Sequence, residues 1–182
     1  MGLHSCAKPL KGFRGSDGLI KFARSNDAYV DRPITVSCGQ CIFCRLERSR
    51  QWAVRMIHEA EINKQEGKES SFLTLTYDNE HLPSDGGIDY EHWRSFYKRC
   101  SAKGLSFRYF HCGEYGDKYL RPHYHAAIFG TNWDSDREPV DGDTGLYCSP
   151  TLTELWGKGN VMIGDLTFES AAYIARYVTK KV

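Results

Sequence analysis

Three groups of side chains in this sequence have the types and spacing to do chemistry. In the run Arg121-Pro122-His123-Tyr124-His125-Ala126-Ala127-Ile128-Phe129-Gly130, two histidines flank one residue at the head of an apolar stretch bounded by Pro122 and Gly130. Side chains of an extended strand alternate faces, so His123 and His125 point one way while Tyr124, Ala126 and Ile128 point the other. Two neutral imidazoles side by side make half of a divalent-metal site, although a pair of half-exposed strand histidines has the same short pattern. Glu114 precedes His123 by nine residues, a hairpin-sized separation that returns the chain alongside itself, with His111 and Asp117 as alternative third ligands. Tyr173 and Tyr177 stand four residues apart and Lys180 follows Tyr177 by three, one helical turn, so that its ammonium can steady a phenolate or a phosphate. One carboxylate, two histidines and paired tyrosines are the parts of a metal-assisted phosphoryl transfer.

The third group is Cys38, Cys41 and Cys44, spaced Cys-x-x-Cys-x-x-Cys with Gly39 supporting a turn. Three soft thiolates round one point predict a structural zinc; simple buried thiols and an iron–sulfur cluster are the alternatives. A fourth ligand is missing locally. Seven cysteines, three of them in one tight cluster, fit reduced thiols and metal binding better than a disulfide framework.

With these motifs the sequence resembles the HUH endonuclease superfamily, and within it the rolling-circle replication initiators of gokushovirus-type single-stranded DNA phages (microviruses). The likeness runs from about Cys38 to Lys180 and includes the stretch Cys38 to Trp52 and the alternating strand Phe72-Leu73-Thr74-Leu75-Thr76. It implies a ferredoxin-like or RNA-recognition-like sheet of about five strands. It also implies a Mg²⁺ or Mn²⁺ ion on Glu114, His123 and His125, and attack by a tyrosine on a scissile phosphate. That attack frees a 3′-hydroxyl and leaves a 5′-phosphotyrosine, which can be rejoined. Tyr177-Val178-Thr179-Lys180 matches the Tyr-x-x-Lys form of single-tyrosine relatives, so Tyr177 is expected to cut first and Tyr173 to make the second transfer. The resembling proteins tend to carry an early cysteine, which makes Cys6 the fourth zinc ligand and His4 the second choice. The implied partner is single-stranded DNA at a hairpin-forming phage origin, with a host replication helicase as a further one, in the host bacterial cytoplasm. Two other readings stand beside this one: an HUH transposase or plasmid relaxase, and a zinc-stabilised nucleic-acid-binding module without catalysis.

The elements that must position these residues can be read from periodicity. Residues 1–35 mix Gly, Ser, Asp and Arg, which predicts short extended pieces and loops. A helix over 45–65 carries Leu46, Ala53, Met56, Ile57 and Ala60 on one stripe, and Gly67 suits its stop. Strands are expected over 71–78, 105–112 and 160–166, besides the histidine strand. Asp89 can cap a helix to about Lys103 with Trp93, Phe96, Tyr97 and Cys100 inward, and Pro150 suits the start of a short helix to Trp156. The last helix, from about Phe168, has Ala171, Ile174, Ala175 and Val178 as its apolar stripe and Tyr173, Arg176, Tyr177 and Lys180 on another side. This order predicts an α+β domain over 1–182, a central antiparallel sheet with helices packed on one face, and a cysteine-cluster subregion over about 1–44. The last motif lies at the end of the sequence, which fits a catalytic domain taken from a longer initiator.

The net charge of +1 hides an uneven distribution: residues 94–108 carry five basic and no acidic side chains, while residues 131–143 carry five acidic ones against one Arg. A solvated helix face has the same composition, but with a DNA substrate Arg94, Lys98, Arg108, Arg121 and Arg176 are the candidate phosphate contacts. No run of 18 apolar residues is present, and the expectation is a soluble protein without a membrane partner.

Overall fold

A computed structural model describes residues 6–22, 28–116, 119–140, 142 and 144–180, without the side chains of residues 28–31, 179 and 180. The chain begins with β1 (Leu10–Gly15), β2 (Ile20–Lys21) and β3 (Ala28–Val36), which pair antiparallel in the order β2-β1-β3. Short extended pieces were expected here, but not their pairing into a sheet, because among the described residues these strands bury little: in β1 the buried positions are Gly12 and Gly15. Then follow α1 (Ile42–Gln65), β4 (Ser70–Thr76), α2 (Tyr90–Ala102), β5 (Arg108–Tyr115), β6 (Pro122–Phe129), β7 (Glu138–Pro139), β8 (Tyr147–Cys148), α3 (Pro150–Trp156), β9 (Val161–Asp165) and α4 (Phe168–Lys180). Strands β4 to β9 form one open antiparallel sheet in the order β5-β6-β4-β9-β8-β7. The fold is the expected α+β arrangement round a central antiparallel sheet, with six strands where about five were expected; β7 and β8 are two residues each.

Alternation in β4 sorts the two faces. Leu73 and Leu75 point to a core formed with Tyr124, Ala126 and Ile128 of β6, Trp93 and Phe96 of α2, and Trp156 of α3. Phe72 points to the opposite face, where Ala127 and Phe129 meet Ala53 and Met56 of α1 and Ala171, Ile174 and Ala175 of α4. Helices α2 and α3 therefore form the layer expected on one face, and α1 with α4 adds a second layer behind the sheet. Strand β6 lies between both layers, which is why it reads as a continuous apolar run with seven of its eight positions buried. Each fully buried Leu, Ile or Phe in these cores is worth roughly 1.5–3 kcal/mol.

Local signals set the element ends. Asp89 accepts a hydrogen bond from the Glu91 amide, and Ser149 from the Leu152 amide with Pro150 at the first helical position. Arg99, from the basic run, donates to the carbonyls of Leu155 (2.6 Å) and Trp156 (3.0 Å) and so closes the C-terminal end of α3. Gly159, at φ 140°, lets β9 start against β4, since a Cβ there would stand 2.4 Å from the backbone of Thr76 and Asp78. Among the described residues no helix is long and apolar enough to cross a membrane.

His111 lies on the α2 side of β5, stacked on Trp93 at 4.3 Å and 9°, with Nδ1 buried and unpaired. It is therefore not the third ligand that its place in the sequence left open. Burial pushes its pKa down to about 4, below the unfolded value of about 6.5. A depressed folded value means stability that is full above pH 6.5 and lost as pH falls towards 4, about 2 kcal/mol between pH 7 and pH 5. Urea unfolding at the two pH values should show that His111→Phe, which keeps the stack, loses less stability on acidification than wild type by this amount. Equal losses would refute the assignment.

Candidate active site

The antiparallel register of β5 and β6 sets Glu114 directly opposite His123 and Cys112 opposite His125, while β4 sets Thr74 opposite His125 on the other side. Glu114, His123, His125 and Thr74 thus share the face covered by α1 and α4. Glu114 Oε1 stands 3.1 Å from His123 Nε2 and 3.7 Å from His125 Nε2, and one ligand atom from each of the three residues lies within 4.8 Å of the others. The two imidazole rings are 4.8 Å apart and nearly perpendicular, at 87°.

The hydrogen bonds behind the rings decide what these atoms offer. His123 Nδ1 lies 3.1 Å from the Arg121 carbonyl oxygen, which can only accept, so Nδ1 carries a proton and Nε2 is the nitrogen presented to Glu114. His125 Nδ1 is 3.0 Å from Thr74 Oγ1. Burial, with His123 beside it, lowers the His125 pKa to about 4, so its ring stays neutral throughout the range in which an ordinary histidine titrates. Glu114 is only 5% exposed, and its Oε2 is buried without a hydrogen-bond partner. A carboxylate buried with an orphaned oxygen beside two imidazole nitrogens favours positive charge at their common focus. The three residues fit a divalent cation.

Tyr173, on α4, donates a 2.6 Å hydrogen bond to Glu114 Oε1, and its ring meets His125 edge-on at 5.3 Å. Burial, the Glu114 carboxylate and Tyr177 together hold the Tyr173 hydroxyl above the ordinary phenol range. Tyr177 sits one turn further, its ring 5.0 Å from that of Tyr173 and packed against the α1–α4 core. The expectation favoured Tyr177; the hydroxyl of Tyr173 is bonded to Glu114 of the Glu114, His123 and His125 group. Lys180 belongs to α4, but its side chain lies outside the described residues, as does Asp117.

The basic candidates are dispersed. Arg176 is exposed on α4 between the tyrosines. Both Nε and a terminal nitrogen of Arg121 donate to the Tyr77 carbonyl, at 3.2 and 3.0 Å. Arg94, ion-paired with Glu91, and Lys98 lie on α2, across the sheet from the site. Arg108 is at the far end of β5 from Glu114, 2.6 Å from Glu59. The basic run is thus not gathered at the histidines.

Thr74 is the residue that sequence reasoning missed. Its alternating strand was noted, but its role needed the pairing of β4 with β6 across 51 residues. If Thr74 fixes the His125 ring, Thr74→Val should weaken Mn²⁺ binding roughly tenfold, read by calorimetry, with thermal stability little changed. Unaltered Mn²⁺ affinity would exclude this orienting role.

A second cluster joins the small sheet to α1. Cys6, just before β1, meets Cys38, Cys41 and Cys44, with sulfurs 3.4 Å apart for Cys41–Cys44 and 4.0 Å for Cys38–Cys44 and Cys6–Cys41. The Cys38 amide donates to Cys6 Sγ and the Cys41 amide to Cys38 Sγ. Backbone hydrogen bonds lower the pKa of Cys38, and that of Cys41 to about 6, whereas burial first and its neighbouring thiols next raise that of Cys44 to about 11. Gly39, at φ 74°, makes the turn that brings Cys38 and Cys41 together. These four can hold a metal ion; His4, the second choice, lies outside the described residues.

Comparison with known proteins gives a consistent set. The family model described as replication-associated protein ORF2/G2P matches residues 70–182. The chain is 36% identical over 190 residues to replication-associated protein VP4 of Bdellovibrio phage phiMH2K, covering 97% of this chain and 58% of that protein. It is 36% identical over 159 residues to replication-associated protein ORF2 of Spiroplasma virus 4, covering 81% and 49%. With replication-associated protein ORF4 of Chlamydia phage 1 it shares 39% identity over 155 residues, covering 79% and 38%. The chain thus spans between 38% and 58% of the length of these curated relatives. No solved structure gives a significant match.

Proposed function

Because the chain belongs to the replication-associated protein ORF2/G2P family, whose model takes in the histidine strand and the tyrosine helix, we propose that it nicks and rejoins single-stranded DNA through a covalent phosphotyrosine, starting and ending rolling-circle replication of a phage genome. The observation that carries this reading is the hydrogen bond from Tyr173 to a carboxylate that itself faces two imidazole nitrogens. A nucleophile, two nitrogen ligands and one oxygen ligand meet at one point, as an HUH endonuclease requires.

A Mg²⁺ or Mn²⁺ ion bound by Glu114, His123 and His125 supplies positive charge that polarises the scissile phosphate and favours the phenolate over the phenol. The protein's own groups do the rest. Thr74 and the Arg121 carbonyl keep both Nε2 atoms aimed at the focus. The Tyr173 hydroxyl attacks phosphorus in line, its proton passing towards Glu114 Oε1, to which it is already bonded. A Tyr173 Oη–P bond forms, the P–O3′ bond breaks, and the released 3′ oxygen takes a proton from solvent. No water is consumed at phosphorus, so the ester can be resealed by a 3′-hydroxyl. The 2.6 Å bond to Glu114 supports Tyr173 as the first nucleophile, the reverse of the order expected from the Tyr-x-x-Lys pattern. Tyr177, one turn away, then takes the second transfer, with Arg176 and Lys180 as the neighbouring cations on α4. A transposase or relaxase would use the same groups on other DNA, and the names of the relatives favour replication.

Incubation with origin-containing single-stranded phage DNA and Mn²⁺ should give a protein–DNA adduct that survives denaturing electrophoresis and is absent in EDTA. If DNA is bound but no adduct forms, the module without catalysis becomes the better reading.

The cysteine cluster is assigned to a structural zinc. Tetrahedral Zn–S bonds of about 2.3 Å imply sulfurs about 3.8 Å apart, close to the 3.4–4.0 Å separations found. Among the described residues the small sheet contributes no side chain to a core, so the ion's binding energy becomes its folding energy. Native mass spectrometry should find about one zinc per chain. Cys41→Ser should lose it and leave the region before α1 open to protease while residues 70–180 stay folded. Folded wild-type protein without metal would overturn the assignment.

A further inference from the structure

Between the C-terminal half of α1 and the edge strand β5 runs an open groove of about 270 Å³, floored by Phe129 and walled by Trp52, Arg55, Phe110 and Arg108. The Trp52 and Phe110 rings lie 5.2 Å apart at 40°, and the Arg55 guanidinium sits over the indole at 5.0 Å. Arg108 reaches Glu59, yet its side chain stays 80% exposed. Packing a helix on a sheet needs apolar contact, and the cores on both faces supply that without two guanidiniums and a half-open indole at the rim. Aromatic faces beside guanidinium groups are the surface on which unpaired bases stack while their phosphates are held.

Position points the same way. Phe110 and Glu114 are four residues apart on β5 and face the same side of the sheet, about 13 Å along the strand. Strand β5 is the edge of the six-stranded sheet, so a chain lying along it meets no further strand. Two guanidiniums outnumber the one carboxylate, and Glu59 is already met by Arg108, which leaves the groove complementary to a polyanion. We propose that the groove is a base-binding subsite for single-stranded DNA, stacking an unpaired nucleobase at Trp52 and holding its phosphate with Arg55 and Arg108, a few nucleotides from the phosphate at Glu114. The register to Glu114 rests on the nicking reading; the subsite itself does not.

The test uses the full chain and a fluorescein-labelled dT16 oligonucleotide in EDTA, where no cleavage takes place. Trp52→Ala should weaken binding by roughly tenfold, within the range expected for one stacked base, and Trp52→Phe should restore most of it. Arg55→Gln should weaken binding and lower the salt slope by about one. Should Trp52→Ala fail to fold, wild-type protein irradiated with 5-iododeoxyuridine-substituted dT16 gives an independent answer, with crosslinks expected at Trp52, Tyr109 or Phe110. Unchanged affinity in the folded variants, or crosslinks only elsewhere, overturns the subsite even if the Mn²⁺-dependent adduct forms. Weakened binding with no adduct from wild type would retain the subsite and reject the nicking reading instead.

Discussion

Glu114→Gln, His123→Ala and His125→Ala should each reduce formation of the covalent DNA adduct by about three orders of magnitude, the equivalent of ~4 kcal/mol of lost transition-state stabilisation. Single-stranded DNA affinity in EDTA should stay within about twofold of wild type, because basic surface rather than the triad supplies it. Glu114→Gln carries a second expectation that separates function from folding. Glu114 Oε2 is buried and unpaired while Oε1 is bonded to Tyr173, so the carboxylate is only half satisfied in the metal-free fold. Neutralising it should raise the melting temperature in EDTA by a few degrees, about 1 kcal/mol, while activity disappears. A variant that loses both stability and activity would show Glu114 to be structural, and adduct formation by wild type at full rate in EDTA would refute the metal reading.

The second large effect concerns the tyrosines. Tyr173→Phe should abolish the first adduct, by at least about a thousandfold, and remove the hydrogen bond to Glu114 without disturbing the apolar stripe of α4. Tyr177→Phe should leave first-adduct formation within a few fold of wild type and block transfer of the held end, so that single cuts accumulate and closed circles do not. The double variant should bind DNA and form nothing covalent. Peptide mapping of the trapped adduct decides between the two orders: a first-cut phosphate on Tyr177 would reinstate the order expected from Lys180, and one on any other residue would discard the pair.

How much of this was legible in the sequence depended on how far the partners lie apart along the chain. The side-by-side histidines follow from strand alternation, and the pairing of Glu114 with His123 follows from a hairpin-sized spacing, both local rules. Three of the four clustered thiols lie within one turn and a helix start, whereas Cys6 came from likeness and its meeting with Cys38 spans 32 residues. Thr74 was invisible as a His125 partner because only the β4–β6 register joins them. The basic run is divided, since charge marks a solvent-facing side without saying which face of the sheet it covers: α2, with Arg94 and Lys98, lies opposite the site, Arg99 serves α3, and Arg108 lies on the α1 side of β5. Tyr177 was read as lying off the core side of its helix, yet it is partly buried against the cluster that α4 shares with α1, β5 and β6.

All three proposed ligands come from the paired strands β5 and β6, whereas the proposed nucleophile arrives on a helix that packs Ala171, Ile174 and Ala175 into the cluster with Ala53 and Met56 of α1, with hydrogen bonds from Ser49 to the Ala175 carbonyl and from Tyr173 to Glu114. Ion capture and nucleophile delivery therefore belong to separate cooperative units. Opening of α4 leaves the ligand set whole, so amides of α4 should exchange hydrogen faster than those of β6. In that state the proposed ligand set would stay together while the proposed nucleophile is withdrawn, and the free energy of docking one amphipathic helix would set the fraction of molecules able to react.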